Sequence, residues 1–423
     1  MRPYVLKDAD ISDALRCEWT QYFQFKTVTK PSKLSRSLRG RWSLADASSN
    51  STMPNAMNSV GNKVSPSANF CWSLFASYLG FLCLSRDEGG YGLAKSEVQT
   101  LAWLTVPEAI DAFLEFRTDR SGGLKHGGHR VFCSYVSSMV RVGNGYLTQL
   151  GDFSKKIPEE ASDGRTWQEM CQETFELVAE WKRDAKDMSR DPTGPLKFFF
   201  NQEFFLKPVF DAMRSLRNRA EFAPSKSMEE AILRRDELVL GLLISNPLRA
   251  TNLINLTYKE GGSGGIHKDQ SGAWRIKIPG NQFKNRGRVA QEIYDVPVAG
   301  WLTDLVTDYV RDFRPVLLGS APDKGYLFLS SKGGGRFNAL NRQVFNVTKE
   351  HIPQCGGISP HAFRHLVATE WLTRNPNDFI TVAALLNDTI EVIMKNYAHL
   401  KKATSFDRYE AYVIKMMFNG WSL

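Results

Sequence analysis

Apolar residues recur every three to four positions through most of this chain, a spacing that predicts helices. FCWSLFASYLGFLCL (70–84), AIDAFLEFR (109–117) and VFCSYVSSMVRV (131–142) form a first group. Thr105-Val-Pro-Glu108 reads as a capping box with Pro107 in the first turn of the second of these. TWQEMCQETFELVAEWKRDAKDM (166–188) and a Phe/Leu-rich stretch ending in LRNRAEF (216–222) continue the pattern. After about residue 226 the texture changes. A helix over MEEAILRRDELVLGLLIS (228–245) runs into Pro247, and then strict alternation takes over in AWRIKIP (273–279) and EIYDVPV (292–298). Those two predict an antiparallel pair joined by a basic turn, FKNRGR. YLFLS (326–330) reads as a further strand or a buried connector, and the remainder as helices.

The expected fold class is therefore mainly α with a small antiparallel β-sheet. Residues 1–68 carry Lys26, Lys30, Lys33, Arg36, Arg39 and Arg41, followed by a Ser/Asn-rich tract without apolar periodicity. They read as a basic N-terminal arm and linker. A helical domain over 69–225 and a mixed domain over 226–423 follow.

Lys and Arg number 54 against 45 Asp and Glu, a net charge of +9 that favours a polyanionic partner. The longest uncharged apolar run, 70–84, is short of the roughly 20 residues that span a bilayer, so it is expected to be a core helix. The N-terminus has acids and no apolar core of its own, unlike a signal peptide. Six cysteines show no metal-ligand spacing, which fits reduced thiols and a cytoplasmic, nucleoid-associated location.

Four segments carry candidate chemistry. In ISPHAFRHLVATEWL (358–372), Ser359 suits an N-cap and Pro360 the first helical position. His361 and Arg364, three apart, then share a face near a helix N-terminus, a good anion site. Arg249 follows the Pro-broken helix in PLRATNLINL, and Lys284 lies on the predicted β-turn. Tyr397 ends the apolar pattern of AALLNDTIEVIMKNYAHL (383–400).

Taken together and in this order, the four segments resemble the catalytic domain of the tyrosine recombinase (phage integrase) family over about 226–405. That family runs Arg, hairpin Lys, H-x-x-R, Leu-Leu-Gly-His and a Tyr nine residues after that His. Here Asn387-Asp388 stands where the family has Gly-His, and Asn252 stands where it commonly has an acid. Three places for Asp388 are open: bonded to an arginine, outside the site, or replaced as donor by Asn387.

The resemblance implies a helical core-binding domain plus a mixed α/β catalytic domain. It also implies a site-specific integrase of a mobile element that cleaves DNA through a 3′-phosphotyrosyl intermediate. Tyr397 is the implied nucleophile, Arg249 and Arg364 the phosphate clamp, Lys284 the proton donor to the leaving 5′-oxygen, and His361 a group that helps accept the tyrosine proton or holds the phosphate. The paired arginines are expected to favour the phenolate. Asp388 is kept among the site residues. No cofactor and no metal are expected. The implied partners are a double-stranded recombination site, three further copies in a synaptic homotetramer, and accessory DNA-bending proteins, with no membrane. A type IB topoisomerase-like enzyme and a catalytically decayed DNA-binding protein remain alternatives.

Other motifs are expected to be structural. GGSGG (261–265) and KGGGR (332–336) read as turns, and His126 and His129 in KHGGHR as a loop without a third metal ligand. Tyr409 and Tyr412 sit three apart on an apolar helical face and are expected to be packing residues.

Overall fold

The structure is a computed structural model that describes residues 4–30, 33–37, 40–46, 56–61, 63–185, 194–283, 293–397, 409–410 and 412–417. It divides into two compact units, Met1–Arg190 and Asp191–Leu423.

The first unit is built on helices α1 (Asp13–Thr27), α2 (Pro66–Leu82), α3 (Pro107–Arg120), α4 (Gly127–Val140) and α5 (Trp167–Asp184). Within the expected arm, Asp13–Thr27 is thus a packed helix. Ser12 caps α1 by accepting from the Leu15 amide at 3.2 Å. Leu15, Trp19, Tyr22 and Phe23 are then buried in the same core as α2 and α4. Trp19 meets Trp72 edge-on at 4.7 Å and donates its indole N–H to the buried Asn58 at 2.6 Å.

Several of the basic residues close this helix. Arg36 and Arg41 donate to the carbonyls of Val28 and Thr27, at 2.7 and 3.1 Å, where a helix C-terminus leaves its acceptors unpaired. Lys26 is buried, its ammonium 5.4 Å from the Trp42 ring centre, and burial lowers its pKa to about 8. Part of the Ser/Asn tract pairs as a three-stranded ribbon through residues 45–46, 59–60 and 63–64.

Two local expectations also change. Thr105 turns its hydroxyl to the Ala102 carbonyl, 2.8 Å away, so Val106 takes the N-cap place without a capping box, and Pro107 opens α3 as expected. His126 and His129 form a capping box at the start of α4, and His129 stacks on Trp181.

The second unit begins well before residue 226. Helix α6 (Lys207–Phe222) buries Val209, Ala212, Met213 and Leu216 in one core with α7 (Met228–Ser245). The sheet has antiparallel strands β1 (Ile266–Lys268), β2 (Trp274–Ile278) and β3 (Tyr294–Pro297) in that spatial order. Ile276 is the register point, facing Ile266 on one side and Val296 on the other. β2 and β3 match the predicted pair, whereas β1, right after GGSGG, was not predicted. Gly261 and Gly262 both take φ of +83°, a turn that glycine supplies without strain. YLFLS is the buried connector, with isolated bridges at Tyr326 and Leu329. Among the described residues no helix is long and apolar enough to cross a membrane.

Candidate active site

Four short elements converge in the second unit. Pro247 follows the end of α7 and cannot continue a helix, so the chain turns. Arg249 is the extended N-cap residue of the short helix α8 (Ala250–Ile254). Helix α9 (Pro360–Arg374) starts as its sequence predicts: Pro360 is in the first turn and the Ser359 hydroxyl accepts from the Ala362 amide. Helix α10 (Phe379–Leu386) stops at Asn387, whose left-handed backbone (φ +45°) serves as the C-cap. Asparagine tolerates that conformation better than most side chains, which explains how it stands where the family has glycine. Helix α11 (Ile390–Tyr397) then delivers the tyrosine.

The arginines meet at Asp388. Arg249 donates from Nη2 to both carboxylate oxygens, at 3.1 and 3.0 Å. Arg364 donates from Nη2 to Oδ2 at 2.7 Å. Of the three places left open by the sequence, Asp388 therefore takes the first, bonded to both arginines at once. Arg364 is buried and also donates to the carbonyls of Pro247 (2.5 Å) and Leu386 (2.8 Å). Burial, then the nearby Arg249 charge, holds the Arg364 pKa below its usual value, while Asp388 opposes the shift. Two guanidinium charges against one carboxylate leave a single net positive charge, the complement of one phosphodiester.

Tyr397 is buried in a small cluster with Leu372, Val382, Leu386 and Ile393. Its hydroxyl lies 2.9 Å from Nδ1 of His365. Burial raises its pKa well above that of an ordinary phenol. Arg364 pulls it back and Asp388 adds to the rise. The expected arginine-favoured phenolate is therefore outweighed by burial in this state, and the tyrosine is a protonated phenol.

His361 is exposed, one helical turn before His365 and 4.9 Å from it ring to ring. His365 is the residue that sequence reasoning left without a role. The signal for it was the four-residue interval in HAFRH, which stacks two imidazoles on one helix face. Burial, then the His361 and Arg364 charges, lower its pKa to about 4. Asn252 is buried and donates weakly to the Gln282 carbonyl at 3.4 Å. Lys284 lies outside the described residues. Tyr409 and Tyr412 are 67% and 58% exposed, so packing within the described chain does not account for them. No cluster of potential metal ligands occurs among the described residues.

No family model matches the chain. Tyrosine recombinase XerD of Chlorobaculum tepidum is 24% identical over 326 residues, spanning 71% of this chain and 93% of the relative. XerD of Pseudomonas putida is 28% identical over 178 residues, 41% of this chain and 52% of that protein. Among solved structures, XerH recombinase bound to its difH substrate aligns over 93% of this chain and 94% of its own, at 15% identity and a TM-score of 0.48. The Tn1549 transposon integrase aligns over 74% of this chain, at 13% identity and a TM-score of 0.31. Similarity to a curated tyrosine recombinase over nearly that protein's full length, joined to two arginines that meet one anionic group beside the buried tyrosine, supports an enzyme of DNA strand exchange.

Proposed function

We propose that the chain is the integrase of a mobile element and that Arg249, Arg364, Lys284 and Tyr397 carry its chemistry. The observation that carries this reading is the convergence of Arg249 and Arg364 on one anionic oxygen pair. Guanidinium groups bind phosphate oxygens bidentately, and two that meet one anionic group suit the charge that builds in a pentavalent phosphorane. Tyr397 attacks the scissile phosphorus and the 5′-oxygen leaves, protonated by Lys284. The bond energy is kept in the 3′-phosphotyrosyl link, so rejoining needs no nucleotide cofactor.

The substrate is a duplex recombination site, held in a synaptic homotetramer with accessory DNA-bending proteins. His361, exposed beside the pair, contacts the phosphate. Asp388 sets the spacing of the two clamps.

The test is a nicked duplex recovered by binding selection from random-sequence DNA with the full chain. The wild type forms a covalent adduct. Tyr397→Phe binds the same duplex and forms none, because its ring still packs and its nucleophile is gone. Tyr409→Phe and Tyr412→Phe keep the adduct. An adduct on the Tyr397→Phe protein would overturn the assignment.

A further inference from the structure

We propose that His365, not His361, takes the proton from Tyr397 when the tyrosine attacks. The inference rests on Tyr397 being the nucleophile, as proposed above. Nδ1 of His365 is 2.9 Å from the phenolic oxygen, within the distance over which a general base acts. In the Nε2–H tautomer the phenol donates and Nδ1 accepts. His361 contacts His365 through its ring and is exposed, whereas the Tyr397 hydroxyl lies within hydrogen-bond distance of His365.

The surroundings suit this role. A phenol held protonated by burial needs a base at its own oxygen, since bulk water is excluded from it. A base that is itself protonated could not serve, and His365 is kept neutral at pH 7 by burial, with the His361 and Arg364 charges adding to the effect. Asp388 and Arg249 face the same group of residues from the turn before α11 and the N-cap of α8.

When the scissile phosphate enters, its negative charge favours an imidazolium nearby, so the proton acceptor becomes stronger in the bound state than in the free one. The base is thus weak while the site is empty and strengthens when DNA fills it.

The step balances as follows. The Tyr397 O–H bond breaks, its proton passes to His365 Nδ1, and the phenolic oxygen forms a bond to phosphorus. The bond from phosphorus to the 5′-oxygen breaks, its electron pair stays on that oxygen, and Lys284 supplies the proton. Rejoining runs the same path backwards: the 5′-hydroxyl returns its proton to Lys284, and the imidazolium returns its proton to the departing phenolate.

The experiment is single-turnover cleavage of the selected nicked duplex by the full chain. His365→Ala is expected to slow adduct formation by about 10²–10⁴-fold while duplex affinity stays within about threefold. His361→Ala slows it by less than about tenfold. A duplex with sulfur in place of the leaving 5′-oxygen needs no proton donor. It therefore rescues Lys284→Ala and does not rescue His365→Ala.

Added imidazole restores part of the His365→Ala rate and none of the Tyr397→Phe rate. If His365→Ala fails to fold, His365→Asn places a non-basic acceptor near the Nδ1 position. It is expected to fold, bind and remain slow. A wild-type rate in His365→Asn, or rescue of His365→Ala by the sulfur duplex, overturns the role of His365. If Tyr397→Phe still forms an adduct, the nucleophile itself is wrong and the failure lies in the reading beneath.

Discussion

The Asp388 carboxylate accepts a 2.7 Å hydrogen bond from Arg364, and both partners are almost wholly shielded from water. The Asp388 position is one where the family it resembles has a histidine. Breaking a buried pair by removing one partner leaves an uncompensated charge, which typically costs about 3–5 kcal/mol. Arg364 keeps two carbonyl acceptors, so Asp388→Ala is expected near the lower end, a loss of about 3 kcal/mol. Sulfate should return part of that loss by binding between the arginines, and chloride at matched ionic strength should not. Urea unfolding of the full chain in the two salts measures this. Unchanged stability on losing Asp388 would mean the contact contributes nothing.

The two arginines should separate on mutation. Arg249 is about a quarter exposed, whereas Arg364 is buried and serves two backbone carbonyls. Arg249→Ala is expected to fold normally and to cleave about 10²–10³-fold more slowly, the usual cost of losing one transition-state donor. Arg364→Ala should lose at least as much activity and also about 3 kcal/mol of stability, because the carbonyls of Pro247 and Leu386 lose a donor. Equal unfolding midpoints for the two variants would contradict the difference in burial.

His129 makes the first unit sensitive to acid. It is fully buried, and burial, then Arg117, hold its pKa at about 4, below the ordinary 6.5. In the unfolded chain it binds a proton near pH 6.5, so the unfolded state takes up more protons between those values. Stability should therefore rise with pH across that window and fall as pH drops from about 6.5 towards 4. After allowance for solvent screening, the change is about 1–2 kcal/mol. His129→Gln should flatten this part of the profile, read by tryptophan fluorescence during urea unfolding. A wild-type slope in His129→Gln would assign the effect elsewhere.

Trp19 tests whether the N-terminal segment belongs to the folded unit. Its ring is fully buried against Trp72 and Phe75 and its N–H is satisfied by Asn58. Trp19→Ala is expected to destabilise by about 3–5 kcal/mol. Deleting residues 1–68 should remove the fold of the first unit, not merely some affinity for DNA. A truncated chain that retains wild-type far-ultraviolet ellipticity per residue and cooperative unfolding would restore the arm reading.

Local rules were legible where local physics decides. Pro247 ends a helix, Ser359 and Pro360 start one, and the alternation of AWRIKIP and EIYDVPV makes a pair of strands. Arg249, Arg364 and Tyr397 were singled out differently, by resemblance to a family's motif order, since each motif alone is weak. Which of its three open places Asp388 takes was not legible, since its partners lie 139 and 24 residues away and no periodicity encodes which carboxylate meets which guanidinium. His365 was masked by its neighbours, because a helix face with two imidazoles looks alike whether it meets solvent or a phenol. In the N-terminal segment the basic residues dominated the reading. Their partners are carbonyls at the end of α1, a bond invisible in charge arithmetic.

Arg364 fastens the turn at Pro247, the end of α10 and the carboxylate at Asp388 with one side chain. These points are brought together only when the whole second unit has folded, because they are distant along the chain. A partly synthesised or proteolysed chain therefore lacks the assembled meeting of Arg249, Arg364 and Asp388. One guanidinium thus acts as an interlock: the arrangement at Asp388 exists only in a completed fold.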